Sequence, residues 1–497
     1  MKVRFVKVAT TNMNTIKNRY SRFVFAYVLA FSLIPIIFRN ILPYDMIENL
    51  YWGKEFQLGY SKHPPLFAWI SFFFYKLSLS CPKSLYILTQ LNLLLGLFFI
   101  FKTSQLIFEE EKKSYAAVLI FIASVSAVFG NEKFNASTIL MSLFPLVFYF
   151  FLRLIKFNST RDAIALGIAS ALAFLGKYFA LLYLGCLGLF LIVNRECRHI
   201  WKAPPVYLAV ITFLLCIGWH LLWLYGSDFV ALKYALGKSI NAERNFLAPF
   251  NFILMQVIFF STSLLAFHYS YGSKMNLLPG ANDDFSREEK FIIFITIAPN
   301  VILFFASLIF GMRIGSFWGT NMLMMIGAYL LIINQQDLNC DRLLVFVQRI
   351  SWLFAIILLA KLGIARYFLR HYDPTNALDI CRISSLMDED WHRRFGDQKM
   401  AILKTDKAMA ELHIRLKDSP SSYDIKHNDL FRICDEYPTA INLAVAFLCN
   451  KNDDQIAHFK KFYGKSILFA NMTHIIDDYF VYYAFLNIKS AQPMRRP

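Results

Sequence analysis

A run of about twenty apolar residues recurs through the first three quarters of this chain. That is the length needed to cross the hydrocarbon core of a bilayer as a helix. Such runs fall at 23–42, 84–101, 114–130, 136–154, 163–176, 178–193, 205–225, 250–268, 291–311, 317–334 and 350–367. A single soluble core does not explain them. Only 17% of the 497 residues are charged and 57% are hydrophobic, against about 25% charged in a soluble domain. The expected fold class is an all-α polytopic membrane protein of about eleven transmembrane helices, followed by a small soluble domain.

Charge fixes the expected sidedness. The net charge of +17 suggests nucleic acid only for a soluble protein. In a polytopic chain, Lys and Arg gather in cytoplasmic loops. No RNA- or DNA-binding motif is present, so nucleic acid is rejected as a partner. The basic segment 1–22 is read as a cytoplasmic N-terminus, and the first span is too long for a cleaved signal peptide. The apolar segment Pro64–Ser80 is the ambiguous one. Counted as a span, it turns the loops holding Lys102, Lys112 and Lys113, then Arg153, Lys156 and Arg161, then Arg195, Arg198 and Lys202 to the outside. Read as a helix at the membrane surface, it leaves all three in the cytoplasm, as the charge bias requires. Loop 43–83 and segments 131–135, 226–249 and 312–316 are then outside. The chain divides into the N-terminus, a transmembrane domain at 23–367 and an outer C-terminal domain at 368–497. That last segment is richer in acidic residues, has short apolar runs, and reads as mixed α/β.

The outer segments carry the informative residues. Asp45 and Glu48 are spaced i, i+3 and share one helical face. Either carboxylate at the membrane surface suits a general base that takes a proton from a hydroxyl. Lys62 and His63 precede Pro64-Pro65, which suits a helix start, and a helix start favours anions. The pair fits a phosphate held at the surface. Lys177 interrupts the apolar stretch AFLGKYFALLYL. Lysines in such positions are costly and tend to be functional or paired, so it is read as a second anion contact. Glu132, Asn135, His220 and Arg313 are weaker candidates that fall on the same side. No Walker A, GxGxxG, HExxH or zinc-ligand cluster occurs. Asp388-Glu389-Asp390 reads as a solvated acidic run.

The segment Asp45…Tyr51-Trp52…Gly59-Tyr60-Ser61-Lys62-His63-Pro64-Pro65-Leu66 resembles the first outer loop of bacterial polyprenyl-phosphate-sugar glycosyltransferases. These are relatives of the protein O-mannosyltransferases and the lipid A aminoarabinose transferase. Gly176-Lys177-Tyr178, His220 with Trp223, Asp228-Phe229 and Trp318-Gly319 are similar to that family in order and spacing. The resemblance spans roughly residues 20–370. It implies a GT-C helical bundle with surface helices in the first outer loop. It implies transfer of a sugar from a polyprenyl phosphate to an acceptor hydroxyl at the outer face of the inner membrane. By the same resemblance Asp45 is the base, and Lys62, His63 and Lys177 lie near the lipid phosphate; the charge of Arg313 suits the same phosphate. Trp318 joins the pocket candidates. Many relatives have an acid where Lys62 stands, and some bind a metal through it, which argues against a metal here. The expected partners are the lipid-linked donor, membrane lipids, and a glycolipid, glycan or protein acceptor. The alternative is a transporter or flippase of a lipid-linked or anionic substrate. Transporters place polar residues at the bilayer midplane and show repeats; neither pattern is visible here.

Overall fold

The structure is a computed structural model. It describes residues 13–240, 246–272, 275–280, 283–312, 314–335, 338–368, 378–400, 402–405, 411–418, 421–424, 442–450, 467–476 and 479–487. Seven described helices are long and apolar enough to cross a membrane: Lys17–Phe38, Pro82–Gln105, Leu140–Phe157, Pro204–Gly226, Ala248–Tyr271, Arg287–Phe310 and Cys340–Tyr367. Each overlaps an expected span. The bent pair Ala180–Val193 and Arg195–Lys202, angled at 105°, makes up to eight.

The other expected spans are shorter or broken, so the structure does not reproduce the count of eleven. Run 163–176 is the 17-residue helix Thr160–Gly176. Run 114–130 is divided into Glu111–Ile122 and Val125–Phe129. There Ser124 accepts a hydrogen bond from Ala127 N at 3.0 Å and caps a new helix. Run 317–334 is a 3₁₀ turn, Ser316–Asn321, followed by the eight-residue helix Ile326–Ile333. The ambiguous segment forms Leu66–Leu77, 12 residues long. At about 1.5 Å per residue it extends about 18 Å, too short for a hydrocarbon core of about 30 Å.

Two compact units divide the chain. The first holds Met1–Ile34, Gln57–Phe67 and Leu85–Ile357, and the second Pro35–Phe56, Ala68–Ser84 and Leu358–Pro497. The domain division read from the sequence, a cut after residue 367, assigned whole segments. The second compact unit holds two pieces of the first loop together with the C-terminal part.

In the first unit, small residues let helices cross closely, as in membrane bundles. A Cβ on Gly96 would lie 2.2 Å from Met141 O, and one on Gly167 would lie 2.6 Å from Ala209 O. Arg153 Nε donates to Asp162 Oδ1 at 2.5 Å, tying Leu140–Phe157 to Thr160–Gly176. Arg287–Phe310 starts in a capping box between Ser286 and Glu289.

In the second unit, five strands form one sheet: β1 (Ile402–Thr405), β2 (Ser421–Asp424), β3 (Asn442–Asn450), β4 (Ile467–Ile476) and β5 (Tyr479–Asn487). Their order is β2-β1-β3-β5-β4. β1 runs parallel to β2 and β3, while β5 is antiparallel to β3 and β4. The helix Ile380–Phe395 places Ile380, Ile383, Met387 and Trp391 on one face. They pack with Ala444, Ala446, Val481, Tyr483 and Phe485, alternate residues of two strands. This mixed α/β part bears out the class expected for the tail.

Candidate active site

Asp45 and Glu48 belong to the second unit. They lie on the helix Tyr44–Glu55, whose residues Met46, Ile47, Asn49, Leu50 and Gly53 are buried. The two carboxylates, both half-buried, share the opposite face at their i, i+3 spacing. Asp45 stands in the first turn, where the helix dipole favours a negative charge. The buried face meets Leu66–Leu77 closely: a Cβ on Gly53 would lie 2.3 Å from Ala68 O. Phe56 stacks on Trp69 with ring centroids 4.7 Å apart.

The chain entering this helix is anchored. Leu42 N donates to Glu411 Oε2 at 2.8 Å. Glu411 is fully buried and pairs with Arg415 at 2.5 Å. Burial pulls the Arg415 pKa down, but the Glu411 carboxylate outweighs it, and the net shift is upward. Lys83 Nζ and Arg366 Nη1 cap the carbonyls of Ile36 and Ile37 at 2.8 and 2.7 Å, as cations do at helix C-termini. On the same helix as Asp45, burial lowers the Lys54 pKa.

Lys62, His63, Lys177, His220, Glu132 and Asn135 belong to the first unit. Lys177 follows the helix Thr160–Gly176 in an extended conformation, φ −164° and ψ 135°. Its Nζ donates to Ser137 Oγ at 2.7 Å. Ser137 is fixed in turn by Asn135, whose Oδ1 accepts from Ser137 N at 2.8 Å and Thr138 N at 3.0 Å. Asn135 thus shapes the loop that meets the lysine. Asn321 Nδ2 donates to Ser137 O, bringing in the 3₁₀ turn that contains Trp318. Glu132 is half-buried in the same loop.

His220 is fully buried. Its Nε2 lies 3.0 Å from Tyr178 Oη, and its Nδ1 lies 2.7 Å from Leu58 O. Its ring stacks on Trp223 at 5.4 Å. Gly59 presses on that Trp, where a Cβ would lie 2.2 Å from the ring. With both nitrogens engaged, His220 ties the residue after Lys177 to the loop that leads into Lys62 and His63. Tyr60 N donates to His63 O at 3.1 Å and closes that loop. The His63 ring contacts Phe67 and Tyr234 at 5.8 and 6.4 Å. Lys62 and His63 are both half-buried.

Three buried amides lie on the segments around the 3₁₀ turn. Both side-chain polar atoms of Asn131 and of Gln256, and Oδ1 of Asn321, have no hydrogen-bond partner. Gly319 sits directly on Gln256, with room for no side chain. Neutral amides both donate and accept, which suits hydroxyl groups better than phosphate. Arg313 and the Trp318 side chain lie outside the described residues. Among the described residues, no group of three or more His, Cys, Asp or Glu side chains is placed to hold a metal.

Ser137, Asn321 and the Leu58 carbonyl were not singled out in the sequence. Each is an ordinary polar group, and nothing local marks its distant partner.

Residues 62–223 match the family described as dolichyl-phosphate-mannose-protein mannosyltransferase. No curated protein matches the chain significantly. Among solved structures, ArnT from Cupriavidus metallidurans bound to undecaprenyl phosphate aligns with a TM-score of 0.68 at 11% identity, covering 97% of this chain and 100% of that one. ArnT from the same organism in the apo state gives 0.59 at 13% identity, over 96% of this chain and 99% of that one. At these identities the likeness shows the fold, which is the GT-C helical bundle with a small strand-containing C-terminal part. The resemblance to lipid-linked-sugar glycosyltransferases read from the sequence is borne out by the family match and by the fold.

Proposed function

We propose that this GT-C membrane protein transfers a sugar from a polyprenyl phosphate to an acceptor hydroxyl on a lipopolysaccharide, another surface glycan or a protein. The observation that carries the proposal is Lys177: a cation at a helix break, held by Ser137 and joined through Tyr178 and His220 to the loop bearing Lys62 and His63. The family match over 62–223 and the undecaprenyl phosphate bound by the ArnT neighbour support a lipid-phosphate donor, and both favour transfer over the transporter reading.

In the reaction, the acceptor oxygen forms a bond to the anomeric carbon as that carbon's bond to the phosphate oxygen breaks. Asp45 takes the acceptor's proton. The polyprenyl phosphate leaves with both electrons of the broken bond and one more negative charge. Lys62, Lys177, His63 and Arg313 stabilise that charge, as preorganised cations do in a dry site. The amides of Asn131 and Gln256 and the free Oδ1 of Asn321 are suited to the sugar hydroxyls. The chemistry is assigned to the outer face of a bacterial inner membrane, with the N-terminus cytoplasmic and the C-terminal part periplasmic.

The function is tested by mass spectrometry of lipopolysaccharide, surface glycans and glycoproteins from cells with and without the gene. One class is expected to lose the mass of one sugar residue, restored by complementation. Identical glycan profiles would sink the proposal. Sidedness is tested separately with single cysteines at Glu389 or Arg393 in a cysteine-free background. An impermeant maleimide should label both from outside intact spheroplasts. Labelling only after permeabilisation would reverse the orientation.

A further inference from the structure

We infer that the first and last long helices form a binding groove for an anionic phospholipid, separate from the transfer site. The groove encloses about 530 Å³, within the range of about 300–1,000 Å³ usual for ligand sites. One wall is Arg19, Arg22, Phe23 and Ala26, on the helix Met13–Phe38. The other is Val345, Gln348, Arg349 and Trp352, on Cys340–Tyr367. Each set has the spacing i, i+3, i+4, i+7, which is one stripe of a helix. The groove is therefore where two helical stripes meet.

The chemistry along the stripes is ordered. Arg22 and Arg349 stand at the same distance from the starts of their helices, and both are exposed. Arg19 pairs with Asp341 at 2.6 Å and joins the two helices at that end. Three guanidiniums thus line the groove, and one of them is paired with a carboxylate. Phe23, Val345 and the exposed Trp352 supply an apolar wall beside them.

Arginines this close to a bilayer interior are costly unless they reach the interface or pair with an anion. A guanidinium presents a rigid fork of donors that matches phosphate oxygens. A phosphate placed between Arg22 and Arg349 would pair both, and its acyl chains would run along the apolar wall. Basic pockets between transmembrane helices are a recognised mode of binding anionic headgroups. Charge complementarity and the apolar wall together favour a lipid over a free phosphate ion.

The test is native mass spectrometry of the purified full-length protein in detergent. The probes are dioctanoyl phosphatidylglycerol, dioctanoyl phosphatidylcholine and inorganic phosphate. The wild type should retain phosphatidylglycerol in preference to phosphatidylcholine, less so as salt is raised. Inorganic phosphate should not displace it at matched concentration. Loss of one interfacial arginine weakens such binding about fivefold, so Arg22→Gln with Arg349→Gln should weaken it about 25-fold. Arg161→Gln, an exposed arginine on another helix, should leave it within about twofold if only the groove residues contribute. Equal retention of the two lipids, displacement by phosphate alone, or an equal loss in Arg161→Gln would overturn the inference. Should the double variant not fold, preference and salt dependence in the wild type still decide it.

Discussion

Replacing Asp45 with Asn should lower the rate of sugar transfer by about 10²–10⁴-fold, the usual contribution of a general base. Asn keeps the size and shape of Asp but accepts no proton, so the change isolates chemistry from packing. Asp45 lies in the first turn of a helix whose other face is buried; expression and undecaprenyl-phosphate binding should therefore be normal. Glu48→Gln, one turn along the same face, should cost less. Lys177→Met should act differently, weakening donor use through KM, because the cation is assigned to the phosphate. Lys112→Met, in an ion pair with Glu110 elsewhere in the chain, should do neither. The measurement is transfer from a radiolabelled lipid-linked sugar by purified protein. An Asp45→Asn rate within about threefold of wild type would lie outside the general-base range. It would remove Asp45 from the mechanism and make Glu48 or Glu132 the next residue to test.

Glu411→Ala should destabilise the C-terminal unit by roughly 3–5 kcal/mol, the cost of breaking a buried ion pair from one side. The Glu411 side chain is 1% exposed and its partner Arg415 is 17% exposed, so solvent screens the pair little. The substitution leaves a guanidinium nearly buried without its carboxylate and removes the acceptor of Leu42 N. The double variant Glu411→Leu with Arg415→Met should recover much of the loss, since apolar replacement of a whole buried pair is often neutral or better. It does not restore the Leu42 anchor, so stability should return further than transfer activity. Thermal unfolding in detergent measures the first and the transfer assay the second. A single substitution that unfolds at the wild-type temperature would mean the pair contributes nothing.

Hydropathy located each of the seven long apolar helices among the described residues, because crossing a bilayer demands a length that composition displays directly. It failed where backbone chemistry interrupts apolar sequence. Ser124 leaves the run 114–130 looking continuous, yet its hydroxyl caps a new helix. Asn321 and its neighbours wind a 3₁₀ turn inside the run 317–334. Site residues divide in the same way. Lys177 is visible as a charge in apolar surroundings. Its partner Ser137 is 40 residues away, Asn321 a further 184 from that serine, and Leu58 162 from His220. Pairings at such separations have no local signature. The two engaged nitrogens of His220 tie distant segments together, which nothing in its local sequence shows. Lys62, where the chain departs from the resembling family, gains no explanation from the geometry.

The bond between Leu42 N and Glu411 joins residues 369 positions apart. A ribosome adding about 5–20 residues per second takes roughly 18–74 s to cover that distance. Throughout that interval the chain leading into the acidic helix has been made but lacks its anchor. A ribosome that stalls or terminates before residue 411 therefore leaves the helix unanchored, however well the early helices have inserted. The segment bearing Asp45 is translated among the first parts of the chain and anchored among the last.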